Sequence, residues 1–397
     1  MEHPKAGSIG AGALSGVTVV DFTLVMAGPF CTRILADLGA EVIKVEPISG
    51  DNLRERPPLR DGSSTYFGQL NCGKKSVGID LKTPEGLAVA RDLIAKADIV
   101  VENFRPGVME RLGLGYNSLS EVNSRLIFCS VSGFGQDGPY AEKPAYAPII
   151  HAASGFDMAN MRYQDGADRP ANTGIFVADV LGGVYAFGAI QAALYQRERT
   201  GRGQFIDVSL LDSILSMLVY EAQEAQFPTG ARRHLYTPLK ARDGFVIVAP
   251  LSQKNFDAMA HVLGDPEWAR NPRYQTVVGR ESNWAEIMSH VEEWTCERLA
   301  EECETAFMNA GLPSSRYLTV AEAMNNPQVR HRGLMRQVQD AAGAFCLTSQ
   351  PFRMSGSPAP ETGHVPDLGE HSEAILGDHL GLGPAAVAEL KSKGAVR

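Results

Sequence analysis

The sequence predicts an α/β fold with a mainly parallel sheet and a second, smaller domain. Three observations predict it. Short apolar strands alternate with helical segments through the first third of the chain, the pattern of βαβ units. The 397 residues exceed what one ordinary core holds, so two domains are expected. Composition then shifts through "QEAQFPTGARRHLY", Gln223 to Tyr236, before a new run of strand and helix begins.

The elements follow in order. "VTVVDF" (Val17–Phe22) reads as the first strand. "GPFCTRILADLG" follows as a helix, with Pro29 in its first turn and Gly39 at its end. "AEVIKVE" and "SVGIDL" (Ser76–Leu81) are strands. "KTPEGLAVARDLIAKA" is a helix whose Thr83 suits the N-cap and Pro84 the first helical position. "DIVVENF" and "RLIFCSVSGFG" are further strands. Ligands gather beyond the carboxyl ends of such strands, which points to the loops after Phe22, Leu81, Glu102 and Ser130. "DGFVIVAP" opens a smaller domain at roughly 225–330, leaving 1–224 and 331–397 to the large one. The tail, with its short helices "SEAILGDHLG" and "AAVAELKSKG", is expected to return to the first domain.

The bulk properties exclude several classes. A net charge of −9 disfavours nucleic acid or an anionic membrane as the main partner. No apolar run of about 18 residues is visible, so no membrane span is expected. The start, "MEHPKAGSIGAGALSG", lacks a signal core and reads as a flexible leader. Six dispersed cysteines without a CxxC read as free thiols in a reducing cytoplasm. The nine histidines show no metal-ligand spacing. The loop after the first strand, "TLVMAGPF", is not G-x-G-x-x-G, and "GAGALSG" precedes that strand, so dinucleotide binding is not expected although Glu46 ends the second strand. P-loop and G-x-S-x-G motifs are also missing.

Two stretches carry chemistry. In "ENFRPGVMERLGL" (Glu102–Leu114), Asn103 offers hydrogen bonds, Phe104 an aromatic face, and Arg105 and Arg111 two guanidinium forks suited to phosphates, with Lys82 leaving a neighbouring strand. From spacing alone a solvated turn with surface cations is the simpler reading. The other is "GIFVADVLGG", where Asp179 sits among apolar residues with no adjacent Lys or Arg, at or just before the start of a buried helix ending at "TGRG". Asp179 is either an N-cap, stabilising by about 0.5–2 kcal/mol, or an ionised, poorly solvated nucleophile. Gly182 and Gly183 would let a bulky group approach it, and first-turn N–H groups would stabilise a nearby oxyanion.

Taken together the chain resembles the class III CoA-transferases, the group of formyl-CoA transferase and the carnitine CoA-transferases. The matching stretches run nearly end to end from Leu14. They include "VVDFTLVMAGPFCTRILADLGAEVIKVEP", "GKKSVGIDLKTPEGLAVARDLIAKADIVVENFRPG", "LIFCSVSGFGQDGPY", "ERTGRGQFIDVSLLDS", "LGDPEWARNPRY" and "NNPQVRHRGLM". The resemblance implies a Rossmann-like large domain built from both termini, a smaller inserted α+β domain, and an interlocked homodimer. It implies acyl-CoA and a carboxylic acid as substrates, no permanently bound cofactor, and Asp179 as nucleophile. It implies CoA-binding positions at Met26, Ala27, Ile79, Asp80, Leu81, Lys82, Asn103, Phe104, Arg105 and Arg111, with Tyr146 at the active site. Departures lie at Met26, where formyl-CoA transferase has glutamine, at Pro47 in place of an arginine, and at Ser132 and Pro144 in place of lysines. They put oxalate and formate in doubt, and Met26 points to a larger or less polar acyl group.

The expected chemistry is attack of Asp179 on a donor thioester, succinyl-CoA being the expected donor, with passage through an aspartyl-CoA thioester. Two alternatives stand beside it. One is an α-methylacyl-CoA racemase-like proton transfer, for which Tyr146 occupies the family's histidine position and His151 lies five residues on. The other is a non-catalytic acyl-CoA-binding relative. Arg162, Arg169 and Arg232 are candidates for binding a second carboxylate.

Overall fold

The structure is a computed structural model describing residues 12–164, 166–171, 173–228, 237–250, 252–358, 360 and 363–397. The chain divides into two compact units, Met1–Phe227 with Arg332–Arg397, and Pro228–His331.

The first unit is built in chain order from β1 (Thr18–Asp21), α1 (Ala27–Asp37), β2 (Glu41–Glu46), a small hairpin of β3 (Leu59–Arg60) and β4 (Ser63–Ser64), and α2 (Thr65–Asn71). It continues through β5 (Lys75–Gly78), α3 (Pro84–Lys96), β6 (Ile99–Glu102), α4 (Val108–Arg111), α5 (Tyr116–Val122) and β7 (Ile127–Ser132). Then come α6 (Ala147–Ala153), α7 (Phe156–Arg162), α8 (Val177–Thr200), β8 (Phe205–Ser209) and α9 (Leu210–Met217). The strands β5-β2-β1-β6-β7-β8 form one all-parallel sheet in that order. β6 and β7 are buried along their whole length, which is why they read as unbroken apolar runs. The strand order reverses between β1 and β6, so a crevice opens past Asp21 and Glu102.

Local chemistry explains the helix starts. The Thr83 hydroxyl accepts the Gly86 N–H at 3.0 Å with Pro84 beside it, as the sequence predicts. β5 stops at Gly78, three residues short of the strand expected through Leu81. Ile79 instead forms an isolated bridge to Val396, and the Asp80 N–H donates to the Ala395 carbonyl, so the C-terminus shapes this loop. The helices Ser372–Leu380 and Pro384–Ser392 bring Ile375, Leu376 and Val387 into the core formed by Val89, Leu93 and Val100.

α8 differs from expectation in two ways. It begins at Val177, so Asp179 lies inside its first turn, and it is not a uniformly buried helix: Val184, Tyr185 and Tyr195 are exposed. By length and composition its 24 residues would suit a membrane span, which the sequence reading did not flag. Here it packs on α1, α9 and the sheet strands β7 and β8, as a layer of an α/β domain.

The second unit carries a three-stranded antiparallel sheet of Leu239–Ala241, Gly244–Val248 and Ser314–Arg316. Helices such as Gln253–Leu263 and Trp284–Thr295 cover a core of Phe256, Tyr274, Ile287 and Phe307.

Candidate active site

The crevice begins with buried ions beneath it. Lys74 Nζ meets Asp21 Oδ2 at 3.0 Å and Lys44 Nζ meets Asp51 Oδ2 at 3.1 Å, all fully buried. Burial pushes the Asp21 carboxyl up, but Lys74, Lys44 and the Thr23 and Thr32 hydroxyls outweigh it and hold the group below the usual range. Burial, only partly opposed by Asp21, lowers the Lys74 ammonium to about 8. These groups fix the loop after β1: Lys44 Nζ donates to the Thr23 carbonyl at 2.9 Å and the Thr23 N–H donates to Asp21 at 2.9 Å. Glu46, a candidate ribose acid by position, is buried against Arg54 and Ser76 and is structural.

Above this foundation lies a cavity of about 310 Å³. Its walls include Met26, Ala27, Asn103, Phe104, Arg105, Tyr146 and Asp179. A second cavity of about 250 Å³ is lined by Ile79, Asp80, Leu81 and Lys82, together with Glu46, Pro47 and Phe104. Leu24 and Phe104 wall both. The fold thus gathers the candidate residues into two adjoining chambers, one holding Asp179 and one largely apolar. Arg111 lines neither chamber and is exposed at the end of α4. Lys82 and Arg105 are also exposed, and among the described residues none of these three cations makes an ion pair. Asp80 is turned to local duty, accepting the Lys82 N–H at 2.9 Å. The Phe104 N–H donates to Glu102 at 2.8 Å, and burial lifts that carboxyl to about 7.

Asp179 is half-buried at the third position of α8. The N-cap residue is Phe176, and it supplies no side-chain cap. The first turn is capped from elsewhere: the Ala178 N–H donates to His151 Nε2 at 3.1 Å. Burial lowers the His151 pKa below its usual 6.5, which keeps the ring neutral and able to accept. The cap reading of Asp179 is therefore corrected. Among the described residues its carboxylate has no ion pair and accepts no hydrogen bond, and burial alone lifts its pKa to about 6.

Gly182 and Gly183 are also reassigned. A Cβ on Gly183 would lie 2.7 Å from the Ala27 carbonyl oxygen, and one on Gly182 would lie 2.2 Å from the Leu210 side chain. These glycines let α8 press against α1 and α9, rather than admit a ligand. That contact brings Asp179 beside Met26 and Ala27, which line the cavity where α1 begins without a side-chain cap.

Two residues near the site, Tyr66 and Lys143, carry no mark in the sequence, and Ser132 is marked there only as a departure from the family pattern. Tyr66 donates its phenol to the Met26 thioether at 3.4 Å, and burial, then the Asp179 charge, raises its pKa. Ser132 lines the cavity with a buried hydroxyl that has no hydrogen-bond partner among the described residues. Lys143, next to Pro144, also lines it, with its ammonium 3.4 Å from the centre of the Tyr140 ring. Tyr66 and Lys143 are isolated in sequence and belong to no motif. Two of the arginine candidates for a second carboxylate, Arg162 and Arg169, do not line the cavity. Arg162 pairs with Glu224, and Arg169 with Asp168 on the surface. Arg232 lies outside the described residues.

Comparison with known proteins shows the family. CoA-transferase family III matches residues 14–372. The chain is 34% identical to the human succinyl-CoA:glutarate CoA-transferase, over 96% of this chain and 90% of that protein. It is 37% identical to the acetyl-CoA:oxalate CoA-transferase of Acetobacter aceti, over 92% and 95%. A crystal structure of a CAIB/BAIF family protein from Brucella suis superimposes with a TM-score of 0.82 at 34% identity, over 93% of this chain and all of that one. The chain belongs to CoA-transferase family III and is a class III CoA-transferase.

Proposed function

We propose that the protein moves CoA from succinyl-CoA to a dicarboxylic acid through an aspartyl-CoA thioester on Asp179. The observation that carries this reading is the Asp179 carboxylate itself: half-buried, without hydrogen bonds among the described residues, and facing a cavity at an uncapped helix start. A carboxylate stripped of water and hydrogen bonds is a stronger nucleophile than a solvated one.

The reaction runs as two matched halves. An Asp179 oxygen attacks the acyl carbonyl, and collapse of the adduct breaks the C–S bond, giving a mixed anhydride and CoA thiolate. The thiolate attacks the Asp179 carbonyl carbon and expels the donor carboxylate, leaving aspartyl-CoA. The acceptor carboxylate attacks that thioester, forming a second anhydride and releasing thiolate. The thiolate takes the acceptor acyl group, and Asp179 returns as carboxylate. One thioester replaces another, and no electrons or protons are left over. The backbone N–H of Ala27, at the uncapped start of α1, is the donor suited to the oxyanion formed at each attack.

The nucleotide end of CoA fits the apolar chamber of Ile79, Leu81 and Phe104, with Lys82, Arg105 and Arg111 set for its phosphates. The Ser132 hydroxyl and Lys143 favour an acyl group with a second carboxylate, in keeping with the glutarate named for the human relative. The racemase reading needs a free histidine base, and His151 Nε2 is occupied by Ala178. The exposed apolar side chains Ile175, Val184, Tyr185 and Tyr195 support a homodimer that covers them, which sedimentation equilibrium tests. Six free cysteines support a reducing, cytoplasmic setting.

The functional test incubates the protein with succinyl-CoA and a panel of mono- and dicarboxylic acids and identifies product thioesters by mass spectrometry. Transfer to a dicarboxylate is expected. Hydrolysis or α-proton exchange without transfer overturns the reading.

A further inference from the structure

Val25 stands in the cavity wall with φ 66°, a left-handed backbone that a β-branched residue adopts only under constraint. The constraint is visible. The Leu24 N–H donates to Asn103 Oδ1 at 2.9 Å, and Asn103 Nδ2 donates to the Leu24 carbonyl at 2.8 Å. The pair fixes the orientation of the carboxamide, because a flipped amide would set donor against donor and acceptor against acceptor. One residue earlier, Thr23 is held by the buried Lys44 and Asp21. The chain is therefore anchored at residues 23 and 24, strained at 25, and delivered into Met26 and the start of α1 beside Asp179.

We infer that Asn103 is a positioning residue: its side chain clamps the Leu24 backbone, holds Val25 left-handed, and so aims the Met26–Ala27 segment at the reacting carbonyl. Its carboxamide is engaged with Leu24, and the role inferred for it is this clamp rather than a contact with CoA. The kinetic part of this inference rests on the proposed role of Asp179, while the structural part does not. Without the clamp Val25 relaxes toward negative φ and carries Met26 and Ala27 with it. A glycine at position 25 tolerates the left-handed backbone and removes that drive.

The test is a cycle of wild type, Asn103→Ala, Val25→Gly and the double variant. Amide hydrogen exchange is measured across Leu24–Ala27, alongside CoA affinity by calorimetry and kcat for thioester transfer. Asn103→Ala is expected to speed exchange in that segment at least tenfold and to lower kcat at least tenfold, with the CoA Kd changed less than threefold. The kcat loss caused by Asn103→Ala is expected to be several-fold smaller when Val25→Gly is already present. A tenfold weaker CoA Kd with kcat unchanged, or equal kcat losses in both backgrounds, overturns the inference. If no transfer activity is found in any form, the exchange data alone decide: unchanged protection at Leu24–Ala27 overturns it, and lost protection upholds the clamp while the Asp179 reading fails.

Discussion

His151 Nε2 accepts the backbone N–H of Ala178 at 3.1 Å, so the first turn of α8 is capped from α6 and Asp179 is released from that duty. Removing the acceptor leaves a buried N–H unpaired, which costs about 1–3 kcal/mol. His151→Ala should lower the thermal midpoint accordingly, and His151→Gln should recover part of the loss. Neither wild type nor variant should exchange the α-proton of an acyl-CoA with deuterated water, as read by NMR. Exchange that depends on His151 would restore the racemase reading.

Asp179 must be ionised to attack. With its pKa lifted to about 6 by burial, kcat/KM should rise with pH through a midpoint near 6 rather than near the usual carboxylate value of 3.8. A pH profile with succinyl-CoA as the varied substrate checks this.

The same shift has a sign for stability. A carboxyl that holds its proton more tightly when folded costs stability as pH rises from about 3.8 through about 6, and the cost is complete above that window. Asp179→Asn removes it. The variant should be more stable than wild type at pH 7.5 by roughly 1–3 kcal/mol, and the difference should vanish near pH 3.5. Denaturant melts at the two pH values measure it. Equal stability at pH 7.5 would show that the carboxylate is better solvated than the fold implies.

Gly183→Ala would place a Cβ 2.7 Å from the Ala27 carbonyl oxygen, where backbone must move. The expected cost is about 1–3 kcal/mol, as for other overpacked contacts. Transfer should fall more than binding, because α8 and α1 carry Asp179 and Met26 respectively. Denaturant titration and a split of kcat from KM read the two effects.

The parts of the fold governed by neighbours in sequence were legible. The apolar strands, the Thr83–Pro84 helix start and the Gly201 end of α8 all rest on contacts within a few residues. What escaped depends on distant partners. β5 stops early because Asp80 bonds to Ala395. The Asn103 amide is engaged by Leu24, 79 residues away. Gly182 and Gly183 face Leu210, Ala27 and Phe30 rather than a ligand. For Asp179 the sequence narrowed the role to cap or nucleophile, and the deciding residue, His151, lies 27 positions before Ala178 on another helix. Lys143 enters the cavity singly and Tyr66 reaches its wall only through Met26, so no spacing could mark either.

The central claim is a covalent bond between Asp179 and CoA. The most direct measurement incubates the protein with succinyl-CoA, adds borohydride, and weighs the peptide that contains Asp179. Reduction of the Asp179 side chain to the alcohol is the predicted result, absent in Asp179→Asn. An unmodified peptide from protein shown to bind and turn over succinyl-CoA would contradict the account.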